Sequence, residues 1–121
     1  MSVEQSQHES REAPSEVPGF SATRTVTPSA AHVVLAGELD LATALIADHE
    51  LRRAQDEARH VLLDLRALTF IDASGLGIII AAHLRARKLA GGLVIHQGST
   101  NVRRLFQLTG AARALVIIDD P

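Results

Sequence analysis

The stretch VLLDL at residues 61–65 is an apolar run of strand length, and a long helical pattern over residues 74–90 follows it after the connection 66–72. Nearly continuous aliphatic runs are typical of strands buried in a sheet that helices cover. The pair Gly91-Gly92 supplies a stop for the helix, and basic residues in its last turns complement the helix dipole. The stretch therefore predicts a strand–helix unit of an α/β protein.

Elements of the same kind flank this unit. Aliphatic residues recur mostly at every third or fourth position from Leu41 to Ala58, which is one face of a helix. They are Leu41, Ala44, Leu45, Ala47, Leu51, Ala54 and Ala58. Asp40 is placed to be the N-cap of this helix. Ser99 or Thr100 is expected to cap a short helix that Gly110 closes. Further strands are expected at residues 20–27, 33–36, 93–96 and 115–118.

The predicted order is β-β-α-β-α-β-α-β. Helical crossovers between neighbouring parallel strands are right-handed, so this order predicts an α/β fold with a mostly parallel sheet. The weakly apolar first strand is expected to be an edge partner of the second.

Composition excludes several classes of function. The chain has 121 residues with a net charge of −2, three Phe, and no Trp, Tyr or Cys. This argues against disulfides, thiolate metal sites, base stacking and a strong attraction to nucleic acid. Residues 1–19 are polar and are expected to be a disordered tail before a domain over residues 20–121. We expect a cytoplasmic protein, since no run approaches the length of a membrane span and the N-terminus lacks a signal peptide's apolar stretch.

Ser74 is expected where the helix over residues 74–90 begins, beyond the carboxyl end of a strand, where α/β proteins usually build their sites. A helix N-terminus favours negative charge, so its helix would tolerate a phosphate on Ser74. The amides of Gly75, Leu76 and Gly77 are expected to lack intrahelical acceptors there. Alternatively, Ser74 is only an N-cap, worth about 1 kcal/mol. Two glycines in a first helical turn cost about 1 kcal/mol each, which suggests a purpose other than helix stability.

Other chemistries fit the same segment less well. A nucleophile elbow needs Gly-x-Ser-x-Gly, whereas Asp72 and Leu76 occupy the flanking positions. The dinucleotide fingerprint is incomplete after Gly77, and no phosphate-binding Gly-x-x-x-x-Gly-Lys run is present. The six histidines show no paired ligand spacing with a carboxylate. From these motifs we expect no bound cofactor or metal.

Gly37-Glu38-Leu39-Asp40 lies at the junction of a strand and the first long helix. A turn with an N-cap would explain this run by itself. Because strands that point the same way end at one edge of a sheet, Asp40 is also expected near Asp72 and Ser74.

These runs together resemble the STAS family, specifically the bacterial anti-sigma-factor antagonists. The shared runs are Gly37–Asp40, Asp72–Leu76 and Val102–Gly110, and the similarity covers about residues 32–118. The resemblance implies a sheet with helices packed mainly on one side.

The resemblance also implies a partner-switching module. A serine kinase with an ATPase-type fold, which doubles as the anti-sigma factor, phosphorylates a serine of the second run. In this chain that acceptor is Ser74, because Ala73 stands where a second hydroxyl is common. The unphosphorylated antagonist binds the kinase and releases the sigma factor; phosphorylation ends the binding and a serine phosphatase restores it. The implied partner-binding residues are Asp40, Asp72, Ala73, Ser74, Gly75, Leu76 and Gly77.

One departure concerns the C-terminus. Family members usually continue into a helix after the last strand, whereas this sequence stops at Pro121. The sheet that such a helix would cover is then exposed, or is covered by the N-terminal tail or a second subunit, which makes a homodimer one expectation. Two alternatives stay open: a STAS scaffold subunit of a stress-sensing or lipid-transport assembly, and a small-molecule or nucleotide-binding module.

Overall fold

The computed structural model describes residues 10–11 and 15–118. In chain order the elements are β1 (Ser10–Arg11), β2 (Ser15–Val17), β3 (Phe20–Val26), β4 (Ala31–Leu39), α1 (Ala44–Glu57), β5 (His60–Ile71), α2 (Ala73–Lys88), β6 (Gly92–His96), α3 (Thr100–Thr109) and β7 (Val116–Ile118), with a 3-10 turn at Ala111–Arg113.

The strands form one mixed sheet in the order β1-β3-β4-β5-β6-β7, and β2 also pairs with β3. The pairs on the β3 side are antiparallel, whereas β4, β5, β6 and β7 run parallel to one another. The predicted α/β fold with a mixed sheet is confirmed. Its first predicted strand, β3, is the antiparallel partner of β4 as expected, but it is not an edge strand, because β1 and β2 pair with its other side.

The core lies between the helices and one face of the sheet. Alternate residues of β5 are buried, namely Val61, Leu63 and Leu65, and they belong to the same cluster as Ile79 of α2 and Phe106 of α3. Each fully buried side chain of this size contributes about 1.5–3 kcal/mol. Helices therefore pack mainly against one side, as the resemblance implies.

Strand β5 is longer than the sequence predicts. The region 66–72, expected as a connection, continues the strand to Ile71, which pairs with Leu39 at the end of β4. Two register shifts, between Val34 and Ala36 and between Gly37 and Glu38 of β4, each leave one extra residue in β5, and the two strands stay paired to their ends. The prediction fails because the aliphatic pattern breaks at Arg66, whose side chain is exposed. Backbone pairing between strands does not depend on an aliphatic pattern, so the strand continues.

Position 37 of β4 needs a glycine because it lies against the turn before β3. Its φ is +94°, and a Cβ there would lie 2.0 Å from the carbonyl oxygen of Gly19. That carbonyl accepts a hydrogen bond from the Glu38 N–H at 2.9 Å. A side chain at position 37 would break this close approach.

The ends of the shorter helix follow the prediction. The Ser99 hydroxyl accepts a hydrogen bond from Val102 N–H at 3.2 Å, so Ser99 rather than Thr100 is the N-cap. Gly110 ends α3 in the left-handed conformation with φ of 79°.

The N-terminal segment differs from the predicted disordered tail where the structure describes it. Ser15–Val17 pairs with β3, and the Ser15 hydroxyl donates a 2.7 Å hydrogen bond to Glu50 of α1. Glu50 also pairs with the buried Arg24, whose Nε donates to Glu57 at 2.8 Å. An open strand edge offers pairing to a polar segment whatever its composition. Residues 1–9 and 12–14 of the predicted tail lie outside the described residues.

Candidate functional site

Asp72 forms the start of α2. Its backbone is extended, and its carboxylate accepts a hydrogen bond from the Gly75 N–H at 3.0 Å. Asp72 is therefore the N-cap, and the alternative in which Ser74 plays that role is wrong. The helix begins one residue earlier than predicted, because the carboxylate of Asp72 reaches the amide three residues on.

This cap changes which amides are free. Gly75 N–H is bound by the Asp72 side chain, and Leu76 N–H donates to the Asp72 carbonyl at 3.0 Å. The prediction that these amides lack intrahelical acceptors is therefore wrong for Leu76, whereas the Gly75 N–H is bound by a side chain and not by the helix backbone. The amides without an acceptor in a preceding turn are those of Ala73 and Ser74.

Ser74 is the second residue of α2 and is half-buried, whereas Ala73 before it is exposed. Within residues 10–11 and 15–118, no hydrogen-bonding partner is found for the Ser74 hydroxyl. The first turn of α2 thus carries a hydroxyl that is not engaged in holding the fold together.

The two glycines of this turn differ in their surroundings. A Cβ on Gly75 would lie 2.6 Å from Leu39 Cγ and 3.0 Å from Ile71 Cγ1, so the close packing of α2 on the strand ends requires glycine. A Cβ on Gly77 would meet nothing within 4 Å, and Gly77 is exposed. Leu76 between them is buried in the core. Packing therefore explains Gly75 and leaves Gly77 unexplained.

Asp40 lies between β4 and α1, but it is not the N-cap predicted for the helix. Its carboxylate accepts hydrogen bonds from the N–H groups of Ala42 and Thr43, at 3.0 and 3.2 Å, in a turn that precedes α1. The Thr43 hydroxyl in turn accepts from Asp40 N–H at 2.9 Å. Thr43 is the cap residue of α1, without a side-chain cap bond. The extra turn separates Asp40 from the helix proper.

Asp40 and Asp72 lie at one edge of the sheet. The Asp72 N–H donates to the carbonyl of Leu39 at 3.1 Å, which joins the ends of β4 and β5 directly. Glu38 pairs with Phe70 in the same register. The edge next to Ser74 thus carries acidic side chains before any modification.

Exposed apolar side chains surround this edge. Leu41 and Leu45 beside Asp40 are 77% and 78% exposed, and Phe70 on β5 is 45% exposed. The sequence pattern places Leu41 and Leu45 on the inward face of the first helix, and this is wrong. The other members of the predicted face that lie within α1 are buried as expected, together with Glu50: the buried residues of α1 are Ala44, Ala47, Glu50, Leu51 and Ala54. Leu41 precedes α1, which begins only at Ala44.

The described residues contain no group of His, Asp or Glu side chains arranged to hold a metal ion. No helix among them is long and apolar enough to cross a membrane.

The family model of the STAS domain matches residues 21–120. The chain belongs to the STAS domain family. Within the family it groups with the anti-sigma factor antagonists. An anti-sigma F factor antagonist of Paenibacillus polymyxa is 32% identical over 92 residues, which cover 73% of this chain and 77% of that protein. An anti-sigma-B factor antagonist of Bacillus subtilis is 27% identical over 78 residues, covering 64% and 72%.

Solved structures show the same fold. An anti-sigma factor antagonist from Mycobacterium paratuberculosis superposes with a TM-score of 0.75 at 22% identity, over 85% of this chain and 88% of that one. The antagonist SpoIIAA in its unphosphorylated form gives 0.70 at 23% identity, over 84% and 88%. The Bacillus cell fate determinant SpoIIAA in the phosphorylated form gives 0.65 at 23% identity, over 84% and 91%.

Proposed function

We propose that this antagonist binds an anti-sigma factor through the surface around the start of α2, and that phosphorylation of Ser74 ends the binding. The unphosphorylated chain occupies the anti-sigma factor, and the sigma factor is thereby free for transcription. The anti-sigma factor is itself the serine kinase and supplies the ATP site, so this cytoplasmic chain is a substrate and not an enzyme. A serine phosphatase resets the switch.

The observation that carries this proposal is the unengaged hydroxyl of Ser74 in the first turn of α2. A hydroxyl that stabilises the fold would be costly to modify, whereas this one has no partner among the described residues. Its position near the free amides of the helix start lets the helix tolerate a phosphate.

The acidic edge explains why a phosphate would act on the partner rather than on the fold. Phosphorylation adds about −1.5 to −2 charge beside Asp72 and Asp40. A partner docked there would have to bury this charge, and an uncompensated buried charge costs several kcal/mol. Binding would therefore be lost while the antagonist remains folded.

Mapping the modified residue tests the acceptor. The chain is incubated with ATP and an anti-sigma factor kinase of the same genome, and the tryptic peptide over residues 67–85 is sequenced by mass spectrometry. That peptide contains two hydroxyl residues, Thr69 and Ser74. We expect phosphate on Ser74, because the Thr69 hydroxyl already donates to the Gly37 carbonyl at 3.2 Å.

Matched variants make the result decisive. Thr69→Val should be phosphorylated like the wild type, and Ser74→Ala should not be phosphorylated. An unmodified wild-type peptide, with a kinase that phosphorylates another antagonist, contradicts the proposed switch.

A further inference from the structure

A groove next to the Ser74 surface lies between the end of β5 and α3. Its volume is about 370 Å³, and its lining residues are Phe70, Ile71, Asn101, Arg104, Leu105 and Leu108. Ile71 is followed directly by the cap residue Asp72, so the groove begins where the proposed binding surface ends.

Two apolar side chains of the groove are exposed to solvent. Leu108 is 78% exposed and Phe70 is 45% exposed. The Asn101 side chain donates a 3.2 Å hydrogen bond to the Thr69 carbonyl, which joins the start of α3 to β5 beside the groove. Exposed apolar residues gathered in one concave patch, unlike scattered ones, mark an interaction site.

The groove carries positive charge, whereas the surface near Ser74 carries the negative charges of Asp40 and Asp72. α3 carries Arg103 and Arg104 and no acidic residue. Arg104 is exposed, and among the described residues no ion pair or hydrogen bond is found for it. An apolar side chain that enters the groove next to a carboxylate would meet both features of the rim.

We infer that the groove is the second half of the docking surface for the anti-sigma factor, and that it receives an aliphatic or aromatic side chain flanked by an acidic residue of that partner. This inference rests on the proposed function. The groove supplies apolar anchoring, and Ser74 supplies the switch. The groove is basic and the surface near Ser74 is acidic, and this difference orients the partner. The partner's acidic group faces Arg104 and not the carboxylates of Asp40 and Asp72.

Calorimetric titration of an anti-sigma factor kinase of the same genome with full-length variants tests the groove. Leu108→Ser should weaken binding at least tenfold, because it removes an apolar anchor of the groove. Since Leu108 is exposed, the change should not disturb the core. Arg104→Glu should weaken binding by a similar factor at low salt and by less at high salt. The control is Leu89→Ser, which changes a leucine of 59% exposure at the C-terminal end of α2. This position lies about 22 Å from Ser74 along the helix, so the affinity of the Leu89→Ser protein should stay within twofold of that of the wild type.

A photo-crosslinking residue at position 108 gives a readout that does not depend on affinity. It should become covalently attached to the kinase, and the same residue at position 89 should not. Wild-type binding that Ser74→Asp abolishes, with Leu108→Ser and Arg104→Glu binding like the wild type, overturns the groove while the proposed function stands. Failure of the wild type to bind overturns both. Self-association of the wild type that Leu108→Ser removes assigns the groove to a second copy and also overturns the inference.

Discussion

Replacing Gly75 and Gly77 by alanine, one at a time, separates packing from partner binding as the reason for two glycines in one helical turn. The Cβ of Gly75→Ala would lie 2.6 Å from Leu39 Cγ, where ordinary contacts are 3.4–4 Å, so the helix start or Leu39 must shift by about 1 Å. Overpacking of this kind costs about 1–3 kcal/mol. Alanine returns up to about 1 kcal/mol through helix propensity, which leaves a net loss of up to about 2 kcal/mol.

Gly77→Ala makes the same chemical change in open space. It should stabilise the protein by up to about 1 kcal/mol, because only the helix propensity changes. Urea denaturation followed by circular dichroism should therefore place the two midpoints on opposite sides of the wild type. For Gly75→Ala the midpoint should fall by up to about 0.7–2 M at a typical slope of 1–3 kcal/mol per M. A Gly75→Ala protein as stable as the Gly77→Ala protein refutes the packing argument, because both variants gain the same helix propensity. If Gly77 is kept for the partner, Gly77→Ala should bind the anti-sigma factor kinase more weakly although it is the more stable protein.

Three further predictions concern the rest of the fold. Glu50→Ala should cost up to about 3 kcal/mol of unfolding free energy in urea, because it removes one of the two carboxylates that pair with the buried Arg24 and leaves only Glu57. The double variant Arg24→Met/Glu50→Leu should cost much less, and equal losses would contradict this. Asp72→Ala should lower the free energy of unfolding by about 1 kcal/mol through the lost cap, and Asp72→Asn should recover most of it. The hydrogen bonds of Arg66 hold the pKa of the Asp64 carboxyl below its usual value, so their stabilisation is present above the unfolded pKa of about 3.9 and is lost as pH falls through the folded value. Arg66→Gln should therefore be less stable at pH 7, by under about 1 kcal/mol since the pair is solvent-screened. In thermal melts the difference should disappear as pH falls from the unfolded pKa of about 3.9 through the lowered folded pKa of Asp64.

The fold was predictable where side-chain periodicity follows burial. In the run 61–65 every second residue is buried against the helices. Gly110 ends α3 as expected. The β5 extension to Ile71 was not predictable, since exposed Arg66 and Phe70 interrupt the apolar pattern while the backbone remains paired with β4.

The site was predictable only in part for a similar reason. Asp40 and Asp72 were expected close together because neighbouring parallel strands end at the same side of a sheet. The hydrogen bond from Asp72 N–H to the Leu39 carbonyl shows that the ends of β4 and β5 are directly joined. The choice of cap residue was missed, because Asp72 and Ser74 are both good caps and only the backbone geometry distinguishes them. The groove between Phe70 and Leu108 combines segments far apart in the sequence, so no local pattern indicates it.

The most direct test of the account compares the affinity of the anti-sigma factor kinase for the Ser74→Ala and Ser74→Asp proteins by calorimetry. Aspartate at the second position of a helix favours the helix, so both proteins should be folded. We predict that Ser74→Ala binds like the unphosphorylated wild type. Ser74→Asp should bind at least about 100-fold more weakly, as expected for an uncompensated charge of about 3 kcal/mol in the interface. Equal affinities of the two variants would contradict the central claim that the charge at Ser74 decides docking.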